Sequence, residues 1–432
     1  MGLSKERVVV IGNGMVGQSA VEHILGKKNE NIELVVFGEE PAHSYNRILL
    51  SEVLSGKKSF TQLYLKKRKW FEENGVKLYT GSRVTEIDTA KRRVRSEKGF
   101  SSAYDKLVIA TGSVAFVPPI KGTEKSGVFA YRTIDDVWSM LEVSRYKKNA
   151  VVIGGGLLGL EAAKALKDNG MDVTVIHLVD HLMEQQLDYD SGLMLERLIE
   201  RMGISFRMKA VTEEILGNGR AEAVRLASGE IIDADLVLVC TGIRPNVELA
   251  KKAGVLVKKG IVVNDYLQTS HENIYALGEC VEHRGMVYGL FDPLVEQARV
   301  AADSIAGNGE SVYEGSLVSA VLKVAGVSLV SVGDFNGGEG CEDLVYSDPE
   351  RGIYKKLVFR DDHIVGAIFL GDIKDYRKIF KLIIDKTGVN GNRQELLLGA
   401  APDNAAPKTQ EKEIDADEHV LKDAPLTPEN PM

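Results

Sequence analysis

One glycine pattern, used twice, constrains the fold of this chain more than any other feature. Residues 7–25 (RVVVIGNGMVGQSAVEHIL) and residues 149–166 (NAVVIGGGLLGLEAAKAL) each contain a β-branched run, glycines spaced G-x-G-x-x-G, and a helix-forming stretch. A second apolar strand follows each of them, at residues 32–37 and 172–177. This repeated order predicts an α/β protein with two Rossmann-like units.

The glycines of the first turn have separate physical tasks. Gly12 allows the tight turn, Gly14 lets a pyrophosphate approach the backbone, and Gly17 lets the helix pack closely on the strand. Met15, which opens the helix, is expected to contact the same ligand. Glu39 lies 22 residues after Gly17, just past the second strand, where a carboxylate can hold ribose hydroxyls.

The second turn repeats the arrangement with Gly154, Gly156 and Gly159, and Leu158 is expected to contact the second dinucleotide. His177 occupies the position usually held by the ribose-binding acid, and no arginine stands beside it to receive a 2′-phosphate. We therefore expect NADH to be preferred, with NADPH left open.

Two such turns predict two dinucleotides, as in a flavoprotein whose bound FAD must face a nicotinamide that enters and leaves. Glu161 is expected in the first turn of the second helix. There its carboxylate can contact the nicotinamide as a catalytic residue or simply interact with the helix dipole, and both interpretations stay open.

The order of elements predicts three domains and a tail. We expect a discontinuous FAD-binding domain (1–117 and 245–312), an NAD(P)-binding domain (118–244) and a smaller α+β C-terminal domain (313–395). In the last of these, apparent strands at residues 317–326, 327–335, 354–361 and 363–372 indicate an antiparallel sheet, closed by a helix over residues 376–384. A helix is predicted to begin with Asp292 as N-cap and Pro293 at its first position.

Residues 396–432 are predicted to be a disordered tail, because they contain five of the eleven prolines and no aromatic residue. Eight acids stand there against three lysines, so the tail contributes −5 of the net charge of −8. That overall charge argues against nucleic acid or an acidic membrane surface as a partner.

Three cysteines, Cys240, Cys280 and Cys341, lie far apart in the sequence. Their spacing indicates neither a metal site nor a local redox disulfide, so no metal is expected. It suits a reducing compartment, and no segment has the pattern of a secretion signal or a membrane span. We therefore predict a cytoplasmic protein.

Further motifs show a family resemblance. They are Ala110-Thr111-Gly112 at the end of one strand, Thr241-Gly242 followed by Arg244-Pro245-Asn246, and residues 44–51 and 275–290. With these the chain resembles the two-dinucleotide flavoproteins of glutathione-reductase type over residues 7–395. Within them it is most similar to the FAD and NAD(P)H portion of the sirohaem nitrite reductase large subunit.

The resemblance implies roles for single residues. Arg47 would hold the FAD pyrophosphate, although a solvated surface arginine is the alternative. Gly278 and Glu279 replace the family's Gly-Asp, and Glu279 would hold the flavin ribityl chain. The helix containing Pro293 would direct its positive end at the flavin, where negative charge develops.

The resemblance also implies an activity: FAD-dependent oxidation of NAD(P)H, with electrons passed to a separate acceptor protein. That acceptor would be a sirohaem nitrite reductase subunit, a rubredoxin or a ferredoxin, and a homodimer stays open. The alternatives are an NADH oxidase or peroxidase and a non-catalytic redox sensor. Residues 46–56, where the thiol-using relatives carry their cysteines, contain none.

Overall fold

The computed structural model describes residues 5–389, 391 and 393–398. The predicted tail beyond residue 398 lies outside the described residues. The predicted disorder was wrong for residues 396–398, which belong to a helix because Leu397 packs into the core of the C-terminal sheet.

Residues 6–115 contain the first Rossmann-like unit and a small antiparallel sheet. The strands are β1 (Glu6–Ile11), β2 (Ile32–Phe37), β3 (Lys77–Tyr79), β4 (Val84–Asp88), β5 (Arg93–Ser96), β6 (Ser101–Ala103), β7 (Lys106–Ile109) and β8 (Ser113–Ala115). The helices are α1 (Met15–Gly26), α2 (Leu50–Leu54) and α3 (Arg68–Glu73), with 3-10 helices at Arg47–Leu49 and Phe60–Leu63.

Residues 128–252 contain the second unit. Its strands are β9 (Val128–Ala130), β10 (Asn149–Ile153), β11 (Asp172–Ile176), β12 (Ile204–Arg207), β13 (Thr212–Leu216), β14 (Ala223–Leu226), β15 (Ile231–Asp233), β16 (Leu236–Val239) and β17 (Ile243–Pro245). Its helices are α4 (Ile134–Ser144), α5 (Leu157–Asp168) and α6 (Tyr189–Glu200), and α7 (Glu248–Lys252) follows β17.

The remaining elements complete the first unit and form the C-terminal part. They are β18 (Ile261–Val263), β19 (Ile274–Ala276), β20 (Val281–His283), α8 (Phe291–Ala306), β21 (Ser319–Val324), β22 (Val327–Gly333), β23 (Cys341–Asp348), β24 (Ile353–Arg360), β25 (His363–Leu370), α9 (Tyr376–Ile384) and α10 (Arg393–Leu398).

Two five-stranded parallel sheets carry the glycine turns. The first has the order β19-β7-β1-β2-β3 and the second the order β12-β11-β10-β16-β9. Val8, Val9 and Val10 in β1 are fully buried, as are Val151 and Val152 in β10, which is typical of parallel strands covered on both faces. The predicted α/β fold class with two Rossmann-like sheets is confirmed.

Helix α1 packs against α8, although some 270 residues separate them in sequence. Where the two helices end, Lys27 forms an ion pair with the carboxylate of Asp303. The Asp303 side chain is almost completely buried. The Asp303 carboxylate also accepts a hydrogen bond from the Ser311 backbone N–H at 2.9 Å. The Lys27 hydrogen bond holds the pKa of Asp303 at about 2, so the carboxylate is ionised at neutral pH.

The predicted start of α8 was wrong by two positions. Leu290 is the N-cap and Phe291 the first helical residue, so Asp292 and Pro293 stand second and third in the helix. A proline fits there because the first N–H groups of a helix have no intrahelical acceptor. Asp292 remains in the first turn, where its charge is favourable.

The C-terminal part is a five-stranded antiparallel sheet with the order β21-β22-β25-β24-β23. The predicted closing helix is present as α9. Strand β23 was not predicted, since it is an edge strand whose residues are exposed or only half-buried and whose apolar pattern is weak.

By contact density the chain forms two compact units. One contains residues up to 185 together with 199–318, and the other contains 186–198 together with the C-terminal sheet from residue 319. In the second unit, the Tyr354 hydroxyl donates to the Asp188 carboxylate at 2.8 Å, and Lys356 Nζ lies 3.3 Å from the same carboxylate. Residues 186–198 lie in sequence within the segment predicted as the NAD(P) domain, and the three-domain boundaries stay a prediction.

Two features are absent from the described residues. No helix there combines the length and the apolar character needed to cross a bilayer. Nor do three or more His, Cys, Asp or Glu side chains there form a group that could hold a metal ion.

Candidate functional site

Three loops from distant parts of the sequence meet at one edge of the first sheet. Strands β1, β7 and β19 run parallel, so the turns that follow them, at residues 12–14, 110–112 and 277–279, emerge side by side. Ala110 N donates to Ile11 O at 2.8 Å and Leu277 N to Ile109 O at 3.1 Å. This carboxyl edge is where open α/β sheets bind ligands.

The first glycine turn leaves space only at its middle glycine. A Cβ atom on Gly12 would lie 2.0 Å from the Ala110 carbonyl oxygen, and one on Gly17 would lie 2.0 Å from the Gly12 carbonyl oxygen. A Cβ atom on Gly14 would meet nothing within 4 Å. Gly14 is also the N-cap of α1 and offers no capping side chain, which leaves the first N–H groups of the helix free to receive a phosphate.

Asn13 supports the same interpretation. Both polar atoms of its amide are buried, and within the described part of the chain neither has a hydrogen-bond partner. A buried amide of this kind normally has a partner, so a polar ligand group at this turn would complete it. The turn therefore fits the pyrophosphate of a dinucleotide.

The predicted companions of this turn lie close to it in different settings. Met15 is the first residue of α1 and is almost completely buried. The Glu39 side chain is 60% exposed, two residues past β2, and its carboxylate lies 3.7 Å from Arg83 Nη1. A weak surface pair of this kind leaves the carboxylate able to bind ribose hydroxyls, which stays a prediction.

Arg47 is fully engaged within the protein. Its guanidinium pairs with the Glu40 carboxylate, and Nη1 donates to the Tyr45 hydroxyl at 2.9 Å and to the Arg132 carbonyl at 2.8 Å. The alternative of a solvated surface arginine is therefore wrong. The contact with a phosphate that the resemblance implies stays a prediction.

Sequence reasoning missed Arg132, which joins this network to Glu279. Arg132 Nη2 donates to the Glu279 carboxylate at 2.6 Å, and the same oxygen accepts from the Ser113 hydroxyl at 2.7 Å. A Cβ atom on Gly112 would lie 3.6 Å from Arg132 Nη2, so the guanidinium stands beside the 110–112 turn. Its local signal was the capping box formed by Thr133 and Asp136, which marks the start of α4 immediately afterwards.

The chain passes between the two parallel sheets twice, and the two connecting segments pair with each other. Strand β8 pairs antiparallel with β17, and Phe116 N donates to the Gly242 carbonyl at 2.9 Å. The Thr111 hydroxyl donates to the Asn246 carbonyl at 2.7 Å. These contacts bring the two motifs identified in the sequence, 110–112 and 241–246, into one ribbon.

The second glycine turn has the same geometry as the first. A Cβ atom would lie 2.2 Å from the Cys240 carbonyl oxygen at Gly154 and 2.1 Å from the Gly154 carbonyl oxygen at Gly159, but would meet nothing within 4 Å at Gly156. Gly156 is the N-cap of α5 without a capping side chain. Leu158, the second residue of that helix, is 38% exposed. This turn too fits a dinucleotide phosphate.

His177 has a role that sequence reasoning did not predict. The residue directly follows β11, is almost completely buried, and accepts a hydrogen bond from Gly155 N at its Nδ1, 3.0 Å away. Its Nε2 lies 3.2 Å from the Glu184 carboxylate. A Cβ atom on Gly155 would lie 2.8 Å from the His177 ring, so the extra glycine of this motif makes room for the imidazole. His177 thus stabilises the phosphate turn itself.

The predicted position of Glu161 in the first turn of its helix was wrong by one residue. Because Gly156 is the N-cap, Glu161 is the fifth residue of α5, just beyond the first turn, where interaction with the helix dipole is weaker. It lies near Tyr131, whose pKa is raised first by burial and further by the nearby Cys240 and Glu161. A catalytic role for Glu161 stays a prediction.

Helix α8 contacts the third loop of the site. Gly278 N donates to the Gln297 side-chain oxygen at 2.9 Å, and both groups are buried. Pro293 is buried in the first turn of this helix. Gly278, with a φ of 92°, takes a backbone conformation that other residues rarely adopt, and its carbonyl accepts from Val281 N at 3.0 Å.

Two of the three thiols, Cys240 and Cys280, are unsuited to redox chemistry. Burial raises the pKa of Cys240 to about 12 and also raises the pKa of Cys280, whose Sγ donates to the Leu277 carbonyl at 3.3 Å. Cys341 lies in β23 of the other compact unit. A protonated thiol is a poor nucleophile, so neither Cys240 nor Cys280 is prepared for thiol exchange at neutral pH.

Comparison with known proteins identifies the family. Residues 6–304 match the pyridine nucleotide-disulphide oxidoreductase family, and residues 319–387 match the C-terminal domain of rubredoxin NAD+ reductase. The chain is 46% identical over 88% of its length to a nitrite reductase [NAD(P)H] of Bacillus subtilis (strain 168), of which it covers 47%. It is 39% identical over 94% of its length to the assimilatory nitrate reductase electron transfer subunit of that strain, of which it covers 52%.

One solved structure matches this fold over almost the whole length of its own chain. The crystal structure of NADH:rubredoxin oxidoreductase from Clostridium acetobutylicum superposes with a TM-score of 0.76 and 28% identity, covering 90% of this chain and 98% of that one. By contrast, the chain spans about half the length of the two Bacillus subtilis relatives. The resemblance is confirmed, together with FAD and a nicotinamide dinucleotide as cofactors of an oxidoreductase: the chain belongs to the pyridine nucleotide-disulphide oxidoreductase family.

Proposed function

We propose that this chain takes hydride from NADH, through bound FAD, and passes the electrons one at a time to a separate acceptor protein. The observation that carries the proposal is the repeated turn geometry, in which only Gly14 and Gly156 face open space at the ends of two parallel sheets. Residues 1–117 and 245–312 would hold FAD, and residues 118–244 would hold the nicotinamide dinucleotide.

FAD is suited to this task because it accepts hydride as an electron pair and can return the electrons singly. The residues of this chain bind and orient. The first N–H groups of α1 would receive the pyrophosphate of FAD and those of α5 the pyrophosphate of NADH. The Arg132–Glu279 pair, at 2.6 Å, holds the carboxylate proposed to contact the ribityl chain.

The acceptor class is a proposal drawn from the relatives. One is named a nitrite reductase, another the electron transfer subunit of an assimilatory nitrate reductase, and the solved structure is an NADH:rubredoxin oxidoreductase. We propose a one-electron iron protein or iron-containing domain: sirohaem nitrite reductase, rubredoxin or ferredoxin. A cytoplasmic location and a homodimer also stay predictions.

Anaerobic stopped-flow absorbance with NADH tests the proposed function. Rapid bleaching of the flavin followed by rapid reoxidation on mixing with ferricyanide is the expected result. Bleaching far slower than any plausible turnover would instead indicate a redox sensor. Efficient turnover with hydrogen peroxide would indicate a peroxidase.

Replacing all three cysteines should preserve electron transfer. The variant Cys240→Ser, Cys280→Ala, Cys341→Ser should retain NADH-to-ferricyanide activity within about twofold, with a loss of stability of roughly 1–3 kcal/mol, chiefly from the buried Cys280 site. Activity, flavin content and the thermal unfolding midpoint are the measurements. If Cys280→Ala alone stopped turnover while the flavin stayed bound and reducible, a flavin–thiol mechanism would replace the proposal.

His177→Phe should weaken NADH binding selectively. The variant keeps a ring beside Gly155 but removes the acceptor of its N–H, and an unpaired buried N–H costs about 1–3 kcal/mol. We expect KM for NADH to rise roughly tenfold, with flavin content unchanged. Leu178→Ala, at the exposed neighbouring residue, is the matched control.

The same assay with NADPH tests the preference for NADH, and a higher kcat/KM for NADPH in the wild-type protein would contradict it.

A further inference from the structure

A strongly basic segment lies beside the proposed flavin site. Residues 53–71, here called the basic segment, contain six lysines and arginines and no acidic residue, in a chain whose net charge is −8. These cations are Lys57, Lys58, Lys66, Lys67, Arg68 and Lys69. Lys57, Lys58 and Lys66 pair with Asp168, Glu52 and Glu22, so the positive surface potential is concentrated at residues 67–69.

Backbone pairing fixes the position of the basic segment. Asn46 N donates to Leu63 O at 2.8 Å, and Leu65 N donates to Ser44 O at 2.9 Å. Ser44 Oγ in turn lies 3.5 Å from the carbonyl oxygen of Gly14 in the first glycine turn. The run Lys66–Lys69 therefore begins directly after the backbone pairing of residues 44–46 with residues 63–65. That pairing contacts the phosphate turn through Ser44, and Arg47 is the next residue in the chain.

The charges at the outer end of the basic segment are in solvent. Arg68 pairs with Glu72 at 3.0 Å and Lys69 with Glu73 at 3.2 Å, but the two cationic side chains are 79% and 83% exposed. Lys67, the N-cap of α3, is also exposed. Exposed i,i+4 pairs contribute only about 0.3–0.5 kcal/mol, so a partner's carboxylates can compete for these cations.

An aromatic pair involves the same segment. Phe60 lies within it, and its ring packs against Trp138 of α4 with centroids 4.4 Å apart. The Trp138 side chain is nevertheless 52% exposed. An exposed tryptophan in contact with this segment fits an interface centre, since tryptophan is enriched where binding energy concentrates.

We propose that the basic segment and Trp138 form the docking surface for the electron acceptor, and that this acceptor is a redox protein or domain with an acidic surface. The inference rests on the proposed function and adds the acceptor's charge and its place of binding. Electron transfer needs the acceptor close to the flavin, and the basic segment is tied to both the Gly14 turn and Arg47. Complementary charge would mainly raise the association rate.

The test compares two charge-reversal variants of equal size. Lys67→Glu with Lys69→Glu alters the proposed surface, whereas Lys251→Glu with Lys252→Glu alters an exposed lysine pair at the end of α7. The acceptors are a recombinant rubredoxin chosen for its acidic sequence and menadione, an uncharged quinone that needs no docking surface. Both reactions are followed with saturating NADH over a range of salt concentrations.

The first variant should lose roughly tenfold or more in kcat/KM for the rubredoxin at low salt, and the difference should shrink as salt increases. Its menadione activity and flavin content should match the wild type, and the α7 variant should retain rubredoxin activity. Trp138→Ala should show a deficit with rubredoxin that persists at high salt.

Other outcomes separate the two proposals. Equal loss in both charge-reversal variants, or no loss in the first, would overturn the docking surface. A wild-type protein that reduces menadione but not the acidic rubredoxin would also overturn it, leaving the proposed function intact. Absence of NADH-dependent menadione reduction would contradict the proposed function itself.

Discussion

Gly14→Val should leave the chain folded and abolish FAD binding. In the protein alone the new side chain begins in open space, since a Cβ atom at Gly14 meets nothing within 4 Å. The turn and the first sheet should therefore form normally. With FAD present, that space is where the pyrophosphate would approach the backbone, so the valine methyl groups would replace it. We expect affinity for FAD to fall by at least roughly 100-fold, or about 2.7 kcal/mol.

The ratio of flavin to protein absorbance after purification measures this effect, and circular dichroism checks the fold. Gly26→Val is the matched control. It lies at the other end of α1, and a Cβ atom there also meets nothing within 4 Å. The control should purify yellow with about one FAD per chain. Full flavin occupancy in Gly14→Val would show that the first turn does not hold FAD.

Gly156→Val should produce the opposite combination of effects. Its turn matches the first one and also leaves open space for a Cβ atom, but it stands at the end of the second sheet. The variant should bind FAD fully, and dithionite should still bleach it. Reduction by NADH should slow, with kcat/KM falling by at least roughly 100-fold because the nicotinamide dinucleotide loses its phosphate contact.

The two substitutions control for each other, because they place the same side chain in the same local geometry. If both variants lost FAD, the second turn would belong to the flavin site or to folding. If neither altered NADH reduction, the nicotinamide dinucleotide would have to bind elsewhere. Only a loss of FAD in the first variant and of NADH reduction in the second supports the assignment of one dinucleotide to each turn.

The glycine turns could be predicted because their geometry depends on residues close in sequence. Gly12 has a φ of 116° and Gly154 a φ of 121°, values that few other residues adopt, and both follow a strand and precede a helix. The end of a helix is less well determined by local sequence. Asp292-Pro293 predicts a helix start, but α8 begins at Phe291. A proline costs no hydrogen bond at any position of the first turn, so its place in the sequence does not fix the first helical residue.

The sequence alone determined the two dinucleotide turns, the α/β fold class and the absence of a cysteine from residues 46–56. Only the tertiary structure decided how polar groups are paired around those turns. Arg47, Arg132 and Glu279 come from three distant segments, and nothing in their spacing indicates that a guanidinium would join a carboxylate 147 residues away. The same holds for His177, whose ring binds Gly155 across two adjacent parallel strands. Spacing along a chain encodes local backbone geometry, whereas the pairing of charged side chains depends on which strand ends the folded sheet brings together.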